Sequence, residues 1–157
     1  MDRRIRNAVH LLVEADAQAS DAIGLSLSVT AIEALLGEHT QELTEKLALN
    51  VAVLLEPDPA KRQSAVDCVK EFYVQRSKTL HGERIESEPS IRARARHLAA
   101  AVLDQIVSRR SFRKKGGFEV ETPAQLLNEL REQRFAPGQQ GIEETNARAL
   151  WGGNGAQ

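Results

Sequence analysis

The stretch from Ile23 to Leu36 reads IGLSLSVTAIEALL and is apolar on nearly every side of a helix. A helix with apolar residues all round must be covered by neighbouring elements, because no side of it can face water cheaply. Gly37 follows directly and supplies a stop, since glycine commonly ends helices. The stretch therefore predicts a central helix with the rest of the chain packed around it.

The segments on both sides of this central helix carry helical periodicity. Apolar residues recur at intervals of three and four over roughly residues 3 to 19, from Thr40 to the breaker Pro57-Asp58-Pro59, and over about 89 to 110. No segment alternates apolar and polar residues for long enough to predict a strand. We predict an all-α fold, a bundle of five or six helices.

Two short patterns mark where further helices begin. Asp58 can cap a fourth helix whose first position is Pro59, where the missing N–H costs nothing. Thr122-Pro123-Ala124-Gln125 is a capping-box pattern that predicts a short sixth helix. We therefore predict one domain over residues 1–135. Residues 136–157 are rich in Gly, Gln, Asn and Glu and predict a mobile tail, in which Trp151 could anchor another protein.

Composition limits the classes of protein that fit. The single cysteine, Cys68, excludes an internal disulfide and a multi-cysteine zinc site, and it favours a reducing, cytoplasmic setting. No apolar run approaches the roughly 20 residues that span a bilayer. With 21 Lys plus Arg against 22 Asp plus Glu, any nucleic-acid binding must come from local charge.

Local positive charge is concentrated on the fifth helix. Five cations stand within seven residues at its end, and two more lie one turn apart near its start: Arg109, Arg110, Arg113, Lys114 and Lys115, with Arg92 and Arg96. These seven are the candidates for contact with RNA phosphates. Cations at a helix C-terminus are also stabilising by themselves, so the pattern leaves both roles open.

An arginine occupies an apolar stripe on the fourth helix. Val66, Val69, Tyr73, Arg76 and Leu80 follow one another at steps of three and four, so Arg76 stands where a leucine would be expected. Burying a guanidinium without a partner is expensive. Either a carboxylate meets Arg76, or the stripe faces a partner chain or a cleft that admits anions.

His81 stands five residues after Arg76 and directly before Gly82, a position typical of a helix C-terminus. Five residues correspond to a rotation of about 140° around a helix. Arg76 and His81 of one chain therefore flank a common edge rather than stack. Two copies brought together would make a better site than one.

The sequence Tyr73-Val74-Gln75-Arg76-Ser77-Lys78-Thr79-Leu80-His81-Gly82 resembles the R-x-x-x-x-H signature of the HEPN superfamily. It has the form of Apea-like members, in which a Tyr precedes an Arg-Ser pair and the His is followed by Gly. Residues 31–36 and 43–48, which include Glu33, are similar to the family's two preceding helices. The resemblance covers about residues 5 to 110.

The resemblance implies a homodimer that joins through the motif helix and cleaves RNA without metal or other cofactor. Arg76 and His81 would be the catalytic residues, and the supporting residues would be Ser77, Glu33, Tyr73 and Lys78. Glu33 would pair with Arg76 or hold the motif helix. The family's roles in phage defence, stress response and toxin systems suggest a regulatory or defence-complex protein as a further partner. Glu83 stands where one branch of toxins has a modifiable tyrosine, so control by that route is doubtful.

Two other classes of function compete with the ribonuclease. A non-catalytic HEPN adaptor would use Arg76 and Glu33 as a structural ion pair, with His81 only ending a helix, and would dimerise or bind RNA or nucleotide without cleavage. A metal hydrolase in a helical bundle needs matched carboxylate and histidine pairs on facing helices. The nearest candidate is Glu38-His39 with Glu42, and it lacks a second set, so we predict no metal site.

Overall fold

The computed structural model describes residues 1–37, 43–81, 89–115 and 122–135, and the side chains of Leu43, Leu80, Pro89, residues 111–115 and Phe135 lie outside the description. Every element in these ranges is helical, so the all-α prediction is confirmed. The helices are α1 (Asp2–Ala17), α2 (Asp21–Leu36), α3 (Leu43–Leu55), α4 (Arg62–Leu80), α5 (Pro89–Lys115) and α6 (Pro123–Glu132), with short 3-10 turns at Pro59–Lys61 and Gln133–Phe135. The predicted tail, residues 136–157, lies outside the described residues.

Helix α2 is the centre of the bundle, as its composition predicted. It packs against α1, α5 and α4, and half of its sixteen residues are buried. Its small polar residues are satisfied within the helix: the buried Ser28 hydroxyl donates to the Gly24 carbonyl at 2.9 Å. The Ser26 hydroxyl likewise donates to the Ala22 carbonyl, and the Thr30 hydroxyl donates to the Ser26 carbonyl. Because these hydroxyls need no partner from a neighbouring helix, they can lie in an apolar core without a desolvation penalty.

All six helices contribute to one apolar core. Each supplies at least one buried side chain that packs into the same cluster: Leu12, Ile32, Val51, Phe72, Leu98 and Leu130. Fully burying a residue of this size stabilises the fold by about 1.5–3 kcal/mol. The core therefore holds α4 in place through its middle, and only the two ends of that helix carry charged residues on the inner face.

The start of the fourth helix differs from the prediction. Asp58 does cap the turn, since its carboxylate accepts from the Ala60 N–H at 2.9 Å, but Pro59–Lys61 forms a 3-10 turn and the α-helix begins at Arg62. At the other end of the chain, the capping box is confirmed. The Gln125 N–H donates to the Thr122 hydroxyl at 3.2 Å, and the Thr122 N–H donates to the Gln125 side chain at 2.7 Å.

Arg62 joins the ends of three helical segments. Its Nε donates to the Glu56 carbonyl just beyond α3 at 3.0 Å, and its Nη1 donates to the carbonyls of Gln133 at 2.8 Å and Arg134 at 2.7 Å, after α6. The residue is only 4% exposed. The C-terminus of a helix has carbonyls without donors and a partial negative charge. A guanidinium at that position donates to the carbonyls and offsets the charge.

Two further arginines close helix C-termini in the same way. Arg4 donates to the carbonyls of Leu35 and Gly37 at the end of α2, both at 3.1 Å. Arg92 donates to the carbonyls of Ala15 and Gln18 at the end of α1, at 2.8 and 3.0 Å. Arginine side chains from other helices thus perform the capping that local residues perform elsewhere. Across the described ranges, no helix is both long and apolar enough to cross a membrane.

Candidate functional site

Arg76 lies on the inner face of α4, where that helix meets α2. Its Nη1 is 2.5 Å from Oε1 of Glu33, and the two side chains are only 23% and 18% exposed. Of the two alternatives that the sequence leaves open for Arg76, the structure shows the carboxylate partner. The ion pair engages one corner of the guanidinium, and among the described residues its Nε and Nη2 have no hydrogen-bond partner.

Tyr73 completes a cluster with this ion pair. The Arg76 guanidinium carbon lies 5.9 Å from the centroid of the Tyr73 ring, within range of a cation–π contact. The Tyr73 hydroxyl is buried and meets no partner at hydrogen-bond geometry within the described ranges. Burial raises the pKa of Tyr73 strongly, and the nearby Glu33 carboxylate raises it further. The hydroxyl therefore stays protonated, next to the Glu33 carboxylate.

His81 ends α4 about 140° around the helix axis from Arg76. Its backbone N–H donates to the Ser77 carbonyl at 3.1 Å, which closes the last turn, and its side chain is exposed. Ser77 and Lys78 are exposed beside it. The side chain of Arg76 is turned into the bundle while that of His81 faces outward, as the 140° rotation between them requires. Gly82 lies outside the described residues.

The outer face at the end of α4 also carries an exposed valine. Val74 is 52% exposed and lies one turn before Ser77 and Lys78 and two turns before His81. We call Val74, Ser77, Lys78 and His81 the outer face of α4.

Four of the seven candidate RNA-binding cations are paired inside the molecule. Arg92 lies 2.9 Å from Asp21, in addition to its two carbonyl partners, and Arg109 lies 2.7 Å from Glu129 of α6. Arg96 forms two hydrogen bonds with Asp16, each 2.8 Å long, and Arg110 pairs with Asp2. The side chains of Arg113, Lys114 and Lys115 lie outside the description. The structure thus gives these four arginines a role between helices, and their contact with RNA stays a prediction.

The surface ion pairs shift the carboxylates they hold. A hydrogen bond from Arg96, opposed by partial burial, lowers the pKa of Asp16 and raises that of Arg96. A hydrogen bond from Arg110 likewise lowers the pKa of Asp2. These effects favour the charged forms and tie α1 to α5 at two points.

Cys68 is buried, as its sequence context predicted. The Arg94 guanidinium lies 3.2 Å from its Sγ and also 5.3 Å from the Phe72 ring centroid. Burial raises the pKa of the Cys68 thiol despite that cation. A protonated, covered thiol is a poor nucleophile, so Cys68 belongs to the packing of the core rather than to the chemistry.

Sequence reasoning missed one buried charge on α4. Arg62 lies on the same stripe as Arg76, since residues 62, 66, 69, 73 and 76 follow steps of four and three. That position was a sufficient signal, because an arginine on an apolar stripe demands a partner wherever it occurs. Extending the stripe one step toward the start of the helix would have found it.

Among the described residues, no group of three or more His, Cys, Asp or Glu side chains could hold a metal ion. No family model matches the chain, and neither a curated protein nor a solved structure matches it.

Proposed function

We propose that the chain is a metal-independent endoribonuclease of the HEPN type that works as a homodimer on RNA. The proposal is carried by one observation, the partly engaged guanidinium of Arg76. It is held by Glu33 in a sheltered position, on the helix that ends in the exposed His81. Arg62, by contrast, has all three of its nitrogens engaged by backbone carbonyls.

Arg76 is suited to an RNA phosphate. A guanidinium offers five N–H donors in a planar fork, and the edge away from Glu33 can bind two phosphate oxygens at once. Glu33 fixes the orientation of the fork and lowers the cost of keeping it charged in a sheltered place. Arg76 would then neutralise the negative charge that develops on the pentacoordinate phosphorus during attack.

His81 would move protons in the same reaction. A ribose 2′-hydroxyl attacks the adjacent phosphorus while a histidine takes its proton, and the bond from phosphorus to the 5′-oxygen breaks as that oxygen receives a proton from an acid. The products are a 2′,3′-cyclic phosphate and a 5′-hydroxyl. His81 of one copy can act as the base and the same histidine of the second copy as the acid.

A second copy accounts for the separation of Arg76 and His81 in one chain. The two side chains leave α4 about 140° apart, so one chain alone offers them to different surroundings. A copy packed on the outer face of α4 would cover Val74 and bring two His81 side chains toward one cleft. Arg76 lies at the end of the same helix, so the edge between the copies can collect both residue types.

A non-catalytic adaptor is the alternative, and the paired cations favour it. Arg92, Arg96, Arg109 and Arg110 are each neutralised by a carboxylate, which removes much of the local charge expected of an RNA-binding surface. Such an adaptor would use the outer face of α4 to dimerise within a larger regulatory or defence complex. It would bind RNA or nucleotide without cleaving it.

Cleavage of a mixed panel of single-stranded and structured RNAs in EDTA separates these functions. We expect wild-type protein to cleave, leaving cyclic phosphate ends that resist phosphatase, and we expect Arg76→Ala and His81→Ala to abolish cleavage. His97→Ala is the matched control, because His97 is an exposed histidine on α5, away from the motif. A wild type that binds RNA and leaves it intact would support the adaptor. Cleavage that survives in His81→Ala would contradict the mechanism.

A further inference from the structure

Helix α1 carries its exposed charges in an order that its own dipole opposes. Arg3 lies in the first turn and Arg6 in the second. Glu14 and Asp16 lie in the last turn, and all four side chains are exposed. The N-terminus of a helix has a partial positive charge and the C-terminus a partial negative charge, so each residue lies toward the end whose sign it shares. Only Asp2 of the first turn has the favourable sign, and the stability of α1 by itself does not account for this order.

Five exposed residues of α1 share the face opposite the core. Ala8, Leu12 and Ala15 mark the buried side of the helix. The side turned away from them is a band about 100° wide that holds Arg3, Arg6, His10, Val13 and Glu14. We call these five residues the outer face of α1. Val13 is 61% exposed, the largest exposed fraction among the large hydrophobic residues that the structure describes.

The residues of this face are arranged evenly about a midpoint near residue 9. Arg3 and Glu14 are eleven residues apart, which is about three turns, so they lie nearly on one line along the helix. Arg6 and Val13 are seven residues apart, about two turns, and lie on a neighbouring line. Both intervals have their middle between residues 8 and 10. A half-turn about an axis across the helix at this midpoint therefore exchanges the two members of each pair.

A second copy of the chain related by such a two-fold axis would face this surface with its own α1, running in the opposite direction. Arg3 would lie against Glu14 of the second copy, and the same pair would form again on the other side of the axis. The alkyl part of Arg6 would cover Val13 of the second copy. A copy running in the same direction would instead bring like charges together at both ends, which is unfavourable. The face is therefore complementary to itself in the antiparallel direction.

We propose that a second copy of the chain binds antiparallel along the outer face of α1, with ion pairs between Arg3 of each copy and Glu14 of the other. This surface does not include the outer face of α4, so the contact is independent of the dimer and of the reaction proposed above. A protein that pairs through both faces assembles beyond a dimer. The charge order that is unfavourable within one α1 helix stabilises the contact between two.

Reversal of the two charges tests the contact. Each protein carries Val74→Lys, which removes the contact proposed on α4, so that self-association measured by sedimentation equilibrium reports on α1. Arg3→Glu and Glu14→Arg, each alone, should raise the dissociation constant about tenfold, because each places like charges together at both pairs. An equimolar mixture of the two variants should regain the affinity of the parent, since the mixed dimer again has opposite charges at both pairs. Lys61→Glu, which reverses an exposed charge on the turn before α4, is the matched control and should change nothing.

Disulfide trapping tests the direction of the two helices. His10 lies next to the midpoint, so His10→Cys places two thiols about 3 Å apart along the helices, within reach of a disulfide. Ala17 is also exposed, but in the antiparallel arrangement its two copies lie about 24 Å apart. Oxidation should therefore link His10→Cys and leave Ala17→Cys unlinked. The protein without either change is the blank, because its own Cys68 is buried.

Three results would overturn the proposal. The first is a parent protein, with Val74→Lys alone, that stays monomeric at every concentration. The second is a mixture of Arg3→Glu with Glu14→Arg that associates no more tightly than either variant alone. The third is Ala17→Cys that cross-links as readily as His10→Cys, which would mean parallel helices. Neither measurement involves RNA, so failure of the ribonuclease and failure of this contact are told apart.

Discussion

Helix α4 carries an arginine at each end of its inner face, and the two are held in opposite ways. Arg62 is almost fully buried and gives all three of its nitrogens to backbone carbonyls. Arg76 gives one nitrogen to the carboxylate of Glu33 and has, among the described residues, no partner for the other two. Arg62 and Arg76 lie on one stripe of the helix, fourteen residues apart, so their positions in the sequence do not distinguish them.

The difference teaches how to separate a structural arginine from a functional candidate. Desolvating Arg62 lowers its pKa, and the carbonyls around it show that the fold uses the charge only to close helix ends. Arg76 has a counter-ion instead, which preserves a charged fork with donors to spare. Spare donors alone do not mark a ligand site, since Nε of Arg110 is also buried with no partner among the described residues. What distinguishes Arg76 is that its spare donors stand on the helix that ends in the exposed His81.

The largest expected effect is on the rate of RNA cleavage, which should depend on Arg76 and not on Arg62. Arg76→Lys keeps the charge but loses the planar fork, so we expect the cleavage rate to fall by about 10²–10³-fold. Arg62→Lys, measured per folded molecule, should leave the rate within about threefold of wild type, because Arg62 only closes helix ends. Rates are measured in EDTA after the folded fraction is determined. An equal loss in both variants would mean that the two arginines share one role.

The second effect is on stability, where we expect the change at Arg62 to be more harmful than the change at Arg76. Arg62→Ala should lower the free energy of unfolding by about 3 kcal/mol or more, because it leaves several buried carbonyls without donors. Arg76→Ala should cost about 1–2 kcal/mol, since Glu33 retains some contact with solvent and can relax toward it. Urea unfolding followed by circular dichroism measures both. Arg76→Ala as the more destabilising variant would contradict the assignment of Arg62 as the structural member.

A third effect sharpens the comparison at the level of hydroxyl groups. The Tyr73 hydroxyl is buried and has no partner at hydrogen-bond geometry among the described residues, so Tyr73→Phe should be neutral or stabilise the fold by up to about 1 kcal/mol. Ser28→Ala is the matched control, because its buried hydroxyl is satisfied by the Gly24 carbonyl and its loss should cost about 0.5–1 kcal/mol. Thermal unfolding of both variants tests the contrast. A clear loss of stability in Tyr73→Phe would show that the hydroxyl has a partner.

The smallest effect concerns an exposed arginine. Arg96 lowers the pKa of Asp16 from its usual 3.8, so the pair stabilises the fold above that pH, and the contribution disappears as the pH falls through the lowered pKa. The Arg96 side chain is 34% exposed and the Asp16 side chain 56%, so water screens the pair. Arg96→Gln should therefore cost only a few tenths of a kcal/mol at neutral pH. Urea unfolding of wild type and Arg96→Gln, at neutral pH and at a pH below the lowered pKa of Asp16, measures this difference in the free energy of unfolding. A difference that grows in acid would have the wrong sign.

The fold could be predicted because its signals are local. The all-round apolar stretch of α2, the breaker at Pro57-Asp58-Pro59 and the capping box at Thr122 are each contained within a few neighbouring residues, and the structure confirms the helices they predicted. The arginine caps could not be predicted. Arg4 and Arg92 reach carbonyls that lie 31 to 77 residues away, and no local pattern indicates such a contact.

The candidate site shows the same division. The ion pair of Arg76 with Glu33 could be anticipated in part, because a carboxylate is one of the two partners that an arginine on an apolar stripe can have, and pairing with Arg76 is one of the two roles predicted for Glu33. The pairing of the cations on α5 could not, because the partners of Arg96 and Arg110 lie 80 and 108 residues away in sequence. Charge clusters read along a sequence overstate the charge that remains after folding.

The bonds from Arg62 have a consequence for the order in which the protein can be completed during synthesis. The carbonyls of Gln133 and Arg134 follow Arg62 by 71 and 72 residues. At about 5–20 residues per second, a ribosome delivers them roughly 4 to 14 s after it has added Arg62. Until then the guanidinium of a nascent chain has only the carbonyls of Glu56 and Pro57, and its bonds to the turn after α6 form last.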